Sequence, residues 1–208
     1  MRPLPRLLAY FDERVAARED VGLRAAAIAA AGPAVALVAR WPGGTADQLA
    51  ELARRTVANA RPPEAQVFVT GRVDIALAVG ATGVVRREGD LDLAAMRTVA
   101  GGRRLTWLAS VHDVAGAQAA AAAGADALVV GTIWPSASHP GRAGAGLDLL
   151  RACAALGLPV FAIGGVTAER AEAARAAGAW GVAAIGALFD AADSYRAARE
   201  LLGAQGEK

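Results

Sequence analysis

Three side-chain types that often carry chemistry are scarce in this chain. One cysteine, Cys153, stands among 208 residues, which excludes an internal disulfide. Its place in an apolar helical stretch predicts a buried core residue rather than a nucleophile. There are only two histidines, His112 and His139, and lysine is almost absent. The basic isoelectric point therefore reflects arginine in place of lysine, while the formal net charge is only +2.

Long hydrophobic runs are also missing. Although 55% of the residues are hydrophobic, many of them are alanines, and no run reaches the roughly 18 residues that a transmembrane helix needs. The basic N-terminus is followed by charged residues at 12–14, which interrupt any signal-peptide core. These features predict a cytoplasmic protein without a membrane partner. The basic residues are spread over many helices, so no nucleic-acid partner is predicted.

Several motifs that would assign a function directly are absent from the sequence. There is no H-E-x-x-H, no C-x-x-C, no P-loop and no ordered Ser/His/Asp set. No G-x-G-x-x-G follows the first predicted strand, and no acidic partner lies beyond it. The sequence therefore argues against the dinucleotide-binding form of a doubly wound sheet.

What the chain does contain is a regular alternation of short apolar runs and alanine-rich helical segments. The runs that predict strands are 7–11, 34–39, 66–69, 83–85, 105–109, 126–131, 159–165 and 181–186. Helices are predicted between them, among others at 21–31, 45–59, 73–79, 91–100, 114–123 and 193–202.

Alternating strands and helices imply a parallel sheet. Eight units share 208 residues, about 26 residues each, and near-equal units of this kind favour a closed (β/α)₈ TIM barrel. We predict one α/β domain over residues 1–208, in which 203–208 form a frayed tail.

In such a barrel the functional side chains lie at the C-terminal ends of the strands. Gly164 and Gly165 follow the seventh strand, and Ile185 and Gly186 follow the eighth. Glycines let backbone amides approach an anion, and helix N-termini add a favourable dipole. These residues predict a phosphate site, with the alternative that the glycines only permit tight turns.

Three more residues at strand ends could carry chemistry. The planar guanidinium of Arg40 suits phosphate or pyrophosphate, although a surface role is the alternative. Asp90 could bind Mg²⁺ if substrate phosphates complete the site; alternatively, it caps a helix that begins at Leu91. His112 could exchange protons or donate to a phosphate, or it could be a structural hydrogen-bond donor.

The loop at 132–142 after the sixth strand is rich in hydrogen-bond donors. His139 lies there close to Ser136, Ser138 and Arg142. This composition predicts a lid that grips an anion.

Six segments of the sequence resemble the thiamine phosphate synthases, whose pattern the related thiazole tautomerases share. They are TGRVDIAL at 70–77, SVH at 110–112, GAD at 124–126, VGTIWPS at 130–136, AIGGV at 162–166 and AGAWGVA at 177–183. The resemblance covers nearly the whole chain and implies a (β/α)₈ barrel. It also implies an enzyme of thiamine biosynthesis that joins a phosphorylated thiazole to a pyrimidine methyl pyrophosphate, with release of pyrophosphate.

The resemblance implies roles for individual residues. Arg40 and Ser110 match pyrophosphate-contacting positions, and Asp90 matches a Mg²⁺ ligand. The thiazole-phosphate cradle matches Gly165, Ile185 and Gly186. In the loop after the sixth strand, two serines replace threonines and a histidine replaces a lysine; these are Ser136, Ser138 and His139.

Some positions depart from the family pattern. Pro42 replaces a lysine, and Thr70-Gly71 replaces an Asn-Asp pair, which removes one metal carboxylate. The residues 85–88 replace a His-Leu-Gly-Gln run, where Arg86 or Arg87 could restore positive charge.

Two other functions therefore stay open at this point. One is a thiazole phosphate tautomerase, whose family histidine falls at Thr132, so that His112 or His139 would act as the base. The other is a non-catalytic binder of a small phosphate ligand. In each case the chain could form a homo-oligomer.

Overall fold

The computed structural model describes residues 3–61, 65–136, 141 and 143–203. In these residues eight parallel strands close into a barrel in chain order, and the last strand pairs with the first. The strands are β1 Leu7–Phe11, β2 Val35–Ala39, β3 Gln66–Thr70, β4 Gly83–Arg86, β5 Thr106–Val111, β6 Ala127–Gly131, β7 Val160–Ile163 and β8 Gly181–Ala184. The predicted TIM barrel is confirmed.

Helices connect the strands around the outside of the barrel. Those in the described residues are α1 Glu13–Ala16, α2 Val21–Ala29, α3 Ala46–Ala60, α4 Val73–Ala78, α5 Leu93–Ala100, α6 Val114–Ala122, α7 Gly146–Ala154, α8 Ala168–Ala176, α9 Gly186–Phe189 and α10 Ser194–Leu202. The four-residue helices α1 and α9 were not predicted. Both follow a strand directly, so they lie at the end of the barrel where the site is expected.

Helix starts follow local capping signals. Thr45 caps α3 in a capping box, because Gln48 N donates to Thr45 Oγ1 over 3.2 Å and Thr45 N donates to Gln48 Oε1 over 2.8 Å. Helix α5 begins at Leu93, two residues later than predicted, because Asp92 accepts a hydrogen bond from Ala95 N. The alternative that Asp90 caps this helix was therefore wrong.

The barrel interior is packed around large side chains that face small ones. Phe68 and Phe161 are fully buried there, and each is paired in register with a glycine of the next strand, Gly83 and Gly181 respectively. A Cβ atom would lie 2.7 Å from the Phe68 ring at position 83 and 2.9 Å from the Phe161 ring at position 181. The glycines thus make room for the rings.

The lone cysteine and the C-terminal end of the chain were also the subject of predictions. Cys153 is buried in α7, as predicted. Gly203 ends α10 in a left-handed conformation, whereas residues 204–208 of the predicted tail lie outside the described residues. None of the described helices has the length and apolar character needed to cross a bilayer.

Candidate active site

A cavity of about 950 Å³ opens at the C-terminal ends of the strands. This volume is large enough to hold small organic substrates. All eight strands contribute to its wall through a residue at or next to their C-terminal ends: Tyr10, Arg40, Thr70, Val85, Ser110, Gly131, Ile163 and Ala184. The barrel therefore has its cavity where enzymes of this fold hold substrate.

One wall of the cavity contains the residues predicted to bind phosphate. Gly164, Gly165, Ile185 and Gly186 all line it. Gly165 has a φ of +62°, and a Cβ there would lie 2.4 Å from the carbonyl oxygen of Pro135, so both conformation and space require glycine. The structure brings the two glycine-rich turns together, while their role in phosphate binding stays a prediction.

The segment after β6 closes over the same wall. Arg170, in the first turn of α8, donates to the carbonyl oxygen of Gly165 over 2.6 Å, and its guanidinium lies 5.6 Å from the centre of the Trp134 ring. Ser136 lines the cavity, and its buried Oγ has no hydrogen-bond partner among the described residues. A buried unpaired hydroxyl is costly, so this atom is available to a ligand.

The cavity is rich in positive charge. The charged side chains that line it within the described residues are Arg14, Arg18, Arg40, Arg87, Arg170, Glu88 and Asp190. Arginine outnumbers carboxylate five to two in this set, so the cavity favours an anionic ligand.

Arg40 differs from Arg18 and Arg87 in this set. No carboxylate of the described residues lies within ion-pair distance of it, whereas Arg18 and Arg87 each contact an aspartate. Its charge acts on Tyr10, which is buried beside it: burial raises the pKa of the Tyr10 hydroxyl above its ordinary value, and Arg40 opposes part of the rise. Arg40 is therefore a cation whose charge a bound anion could neutralise.

Asp90 has a partner that the sequence did not predict. Its carboxylate accepts hydrogen bonds from Arg87 N over 2.7 Å, from Arg87 Nε over 3.2 Å and from Arg87 Nη2 over 2.9 Å. Arg87 lines the cavity, but Arg86 does not. The Arg86 Nε donates to the Leu91 carbonyl oxygen instead. In the part of the chain that the structure describes, no three His, Cys, Asp or Glu side chains are grouped to hold a metal ion.

His112 and Ser110 line the cavity at the end of β5. The His112 Nδ1 atom bonds to the Gly131 carbonyl oxygen, which can only accept, so Nδ1 carries the proton and Nε2 is left as the acceptor in the neutral ring. The structure thus supports the structural role considered for His112 and leaves Nε2 for a ligand. Ser138 and His139 lie outside the described residues.

Several cavity residues were missed by the sequence analysis. Arg14 and Arg18 follow β1, for whose C-terminal end no functional residue was predicted. Arg170 lies within a helix, and Tyr10 lies within a strand that reads as core. Arg14 and Arg18 could have been predicted from the rule that functional residues follow the C-terminal ends of strands. Arg170 and Tyr10 have no distinctive local sequence signal.

Comparison with known proteins identifies the family. The sequence model of the thiamine monophosphate synthase family matches residues 11–188. The chain is 38% identical to the thiamine-phosphate synthase of Salinispora tropica, over 97% of this chain and 98% of that protein. It is 42% identical to the enzyme of the same name from Mycolicibacterium gilvum, over 74% of this chain but only 62% of that protein, less than two thirds of its length.

A solved structure agrees with the sequence matches. Thiamine phosphate pyrophosphorylase from Pyrococcus furiosus superimposes with a TM-score of 0.76 and 29% identity, covering 94% of this chain and 93% of that one. Both the barrel and the sequence along it are therefore shared. The chain belongs to the thiamine monophosphate synthase family.

Proposed function

We propose that this protein is a thiamine-phosphate synthase, which joins a phosphorylated thiazole to a pyrimidine methyl pyrophosphate and releases pyrophosphate. The observation that carries the proposal is the family match over residues 11–188, together with a single cavity that combines Arg40 and Ser110 with the glycine-rich turns. Both substrates are anionic, which agrees with the arginine-rich wall of the cavity.

The reaction breaks the bond between the pyrimidine methylene carbon and the pyrophosphate oxygen, which keeps the electron pair. The thiazole nitrogen then forms the new bond to that carbon. We assign the thiazole phosphate to the amides around Gly165, Ile185 and Gly186. Arg40 and Ser110 contact the pyrophosphate, where donors aimed at developing negative charge lower the barrier most.

The family resemblance also implies Mg²⁺, which when bound would neutralise charge on the leaving pyrophosphate. The donors present do not fit this ion well. Asp90 shares both carboxylate oxygens with Arg87, and position 71, where the resemblance places a second carboxylate, is glycine. Asp90 as a Mg²⁺ ligand stays a prediction, and no step above depends on it.

The two other candidate functions are less well supported. The relatives that match over most of the chain are thiamine-phosphate synthases. A tautomerase would need a base in place of the family histidine, whose position is Thr132 in this chain. A binder would show no turnover. A cytoplasmic location and a homo-oligomer stay predictions.

Release of pyrophosphate from the two substrates tests the proposed function. We expect turnover only when both substrates are present, and a fall in kcat/KM of about 100-fold in Arg40→Ala, because a guanidinium that stabilises the leaving group is lost. Arg54→Ala is the control, since Arg54 is exposed on α3 and pairs with Glu51. Thiazole isomerisation without coupling, or binding without turnover, would contradict the synthase assignment.

A further inference from the structure

We propose that Arg87 is a built-in cation for the pyrophosphate, so that the cavity binds this group without a divalent metal ion. The proposal rests on the synthase function proposed above. The family resemblance implies metal ligands at the ends of β3 and β4. The side chains that the structure brings together there do not agree with them.

The space beside Gly71 is filled by the ion pair of Arg87 and Asp90. A Cβ atom at position 71 would lie 2.9 Å from Arg87 Nη2, 2.9 Å from Asp90 Oδ2 and 3.0 Å from Asp90 Oδ1. Gly71 also has a φ of +70°, which disfavours any other residue. Gly71 therefore leaves the space that the ion pair occupies. A guanidinium lies where the family resemblance implies a second carboxylate.

The ion pair is well ordered by its hydrogen bonds and is partly exposed to the cavity. The Asp90 side chain is 12% exposed and accepts from both the backbone and the side chain of Arg87. The Arg87 side chain is 38% exposed and lines the cavity. Since the guanidinium has five N–H donors and gives only Nε and one Nη2 hydrogen to Asp90, the remaining hydrogens can bind phosphate oxygens.

A divalent cation would find poor conditions at the same place. A dication bound to Asp90 would compete with the hydrogen bonds from Arg87, and the neighbouring guanidinium would repel it at close range. Glu88 lines the cavity nearby, but the described residues offer no third acidic group or histidine for the ion. These side chains therefore suit a fixed guanidinium better than a dication, whose ligands are mostly carboxylate and water oxygens.

In the reaction this guanidinium would act on the leaving group. When the carbon–oxygen bond breaks, the electron pair stays on the pyrophosphate oxygen, and the N–H groups of Arg87 and Arg40 stabilise the added charge. The thiazole nitrogen supplies the electron pair of the new bond, so no proton or further reactant is required. Asp90 is the positioning residue that holds Arg87.

Calorimetric titration of the full chain with inorganic pyrophosphate tests the proposal. One series contains EDTA and the other contains excess Mg²⁺. We expect affinities that agree within about twofold. Arg87→Ala should weaken pyrophosphate binding in EDTA about 10- to 100-fold, the usual loss for charge-assisted hydrogen bonds, and should leave thiazole phosphate binding within about twofold.

The neighbouring arginine gives a matched control. Arg86→Ala removes the same side chain one residue away, outside the cavity, and should leave pyrophosphate affinity unchanged. Circular dichroism of each variant checks that it is folded. Pyrophosphate binding that requires Mg²⁺, or binding in EDTA that Arg87→Ala does not weaken, would overturn the proposal.

Turnover distinguishes this proposal from the proposed function. Product formed only with Mg²⁺ would overturn the role of Arg87 and leave the synthase assignment intact. No product under either condition, combined with Arg87-dependent pyrophosphate binding in EDTA, would overturn the synthase assignment while the binding result supports Arg87. Product formed equally in EDTA and in Mg²⁺ is the outcome we expect.

Discussion

Arg18 and Asp190 form an ion pair of 2.7 Å that joins the segment after α1 to the C-terminal end of α9. The other carboxylate oxygen, Asp190 Oδ2, lies 2.9 Å from the place that a Cβ of Gly186 would occupy. A negative charge thus stands beside the turn assigned to the thiazole phosphate, and Arg18 neutralises part of it.

This geometry predicts that Asp190→Asn tightens binding of thiazole phosphate. The expected gain is about two- to fivefold, because the charge is largely exposed and partly screened. Titration calorimetry at low salt measures it. Asp148→Asn, which removes an exposed carboxylate on α7, controls for the change in net charge and should have no effect. Weaker binding in Asp190→Asn would show that the carboxylate orders the turn instead.

The Ser136 hydroxyl is unpaired among the described residues, so we expect its removal to change catalysis but not the stability of the fold. Ser136→Ala should keep the free energy of unfolding within about 0.5 kcal/mol, since no hydrogen bond within the described residues is lost. It should lower kcat/KM about 10-fold if the hydroxyl donates to substrate.

Ser194 is the control for Ser136, because its hydroxyl should stabilise the fold without contacting the ligand. Its buried Oγ donates to the Leu188 carbonyl oxygen over 2.9 Å, and it does not line the cavity. Ser194→Ala should therefore destabilise the fold by about 1 kcal/mol and leave KM unchanged. Equal kinetic effects of the two substitutions would contradict a ligand contact by Ser136.

The pairing of Phe68 with Gly83 predicts a strong effect of a single added carbon. In Gly83→Ala the new Cβ would lie 2.1 Å from the Thr106 carbonyl oxygen on the neighbouring strand, as well as against the Phe68 ring. We expect a loss of about 1–3 kcal/mol or more in the free energy of unfolding, measured by urea denaturation.

Gly22→Ala is the control for this substitution. Gly22 lies in α2, and a Cβ there meets only Asn59 Oδ1 at 3.5 Å. Alanine favours the helix by about 0.5–1 kcal/mol, so this variant should be slightly more stable. A stable Gly83→Ala protein would mean that β4 and β5 can separate without cost.

The buried Tyr10 hydroxyl predicts alkaline destabilisation. Its pKa is raised in the folded state by burial. Well below pH 10 the hydroxyl is protonated in both states and adds no pH dependence. Above this pH the unfolded chain loses the proton while the native protein keeps it, so the free energy of unfolding falls by up to about 1.4 kcal/mol per pH unit.

Urea unfolding between pH 9 and 11.5 measures this slope. Tyr10→Phe should make it shallower, because phenylalanine has no proton to lose. Tyr195→Phe serves as the control, since Tyr195 is exposed on α10. An identical slope in wild type and Tyr10→Phe would contradict the assignment.

Much of the barrel was predictable because its signals are local. Apolar runs and capping residues located every strand, in most cases within one or two residues. β5 extends to Val111, beyond its predicted end, because Ser110 pairs with Val129 of β6. The sequence did not indicate this because serine is typical of loops. The four-residue helices α1 and α9 are too short to show helical periodicity, so the sequence pattern could not indicate them.

The candidate site was predictable only where a strand end marks it. Arg40, Ser110, His112 and the glycine-rich turns follow from the rule that strands point their C-terminal ends at the ligand. Arg170 and Tyr10 reach the cavity from a helix and from a strand interior, and they converge there only because the barrel closes.

By itself the sequence determined the order of strands and helices, their caps and the glycines of the turns, since these depend on neighbours along the chain. The tertiary structure decided which side chains meet. Arg86 and Arg87 are adjacent and chemically identical, yet only Arg87 lines the cavity. It also binds Asp90 beside Gly71. Successive side chains point to opposite sides of an extended chain, so the register of β4 within the closed barrel determined which arginine faces the cavity.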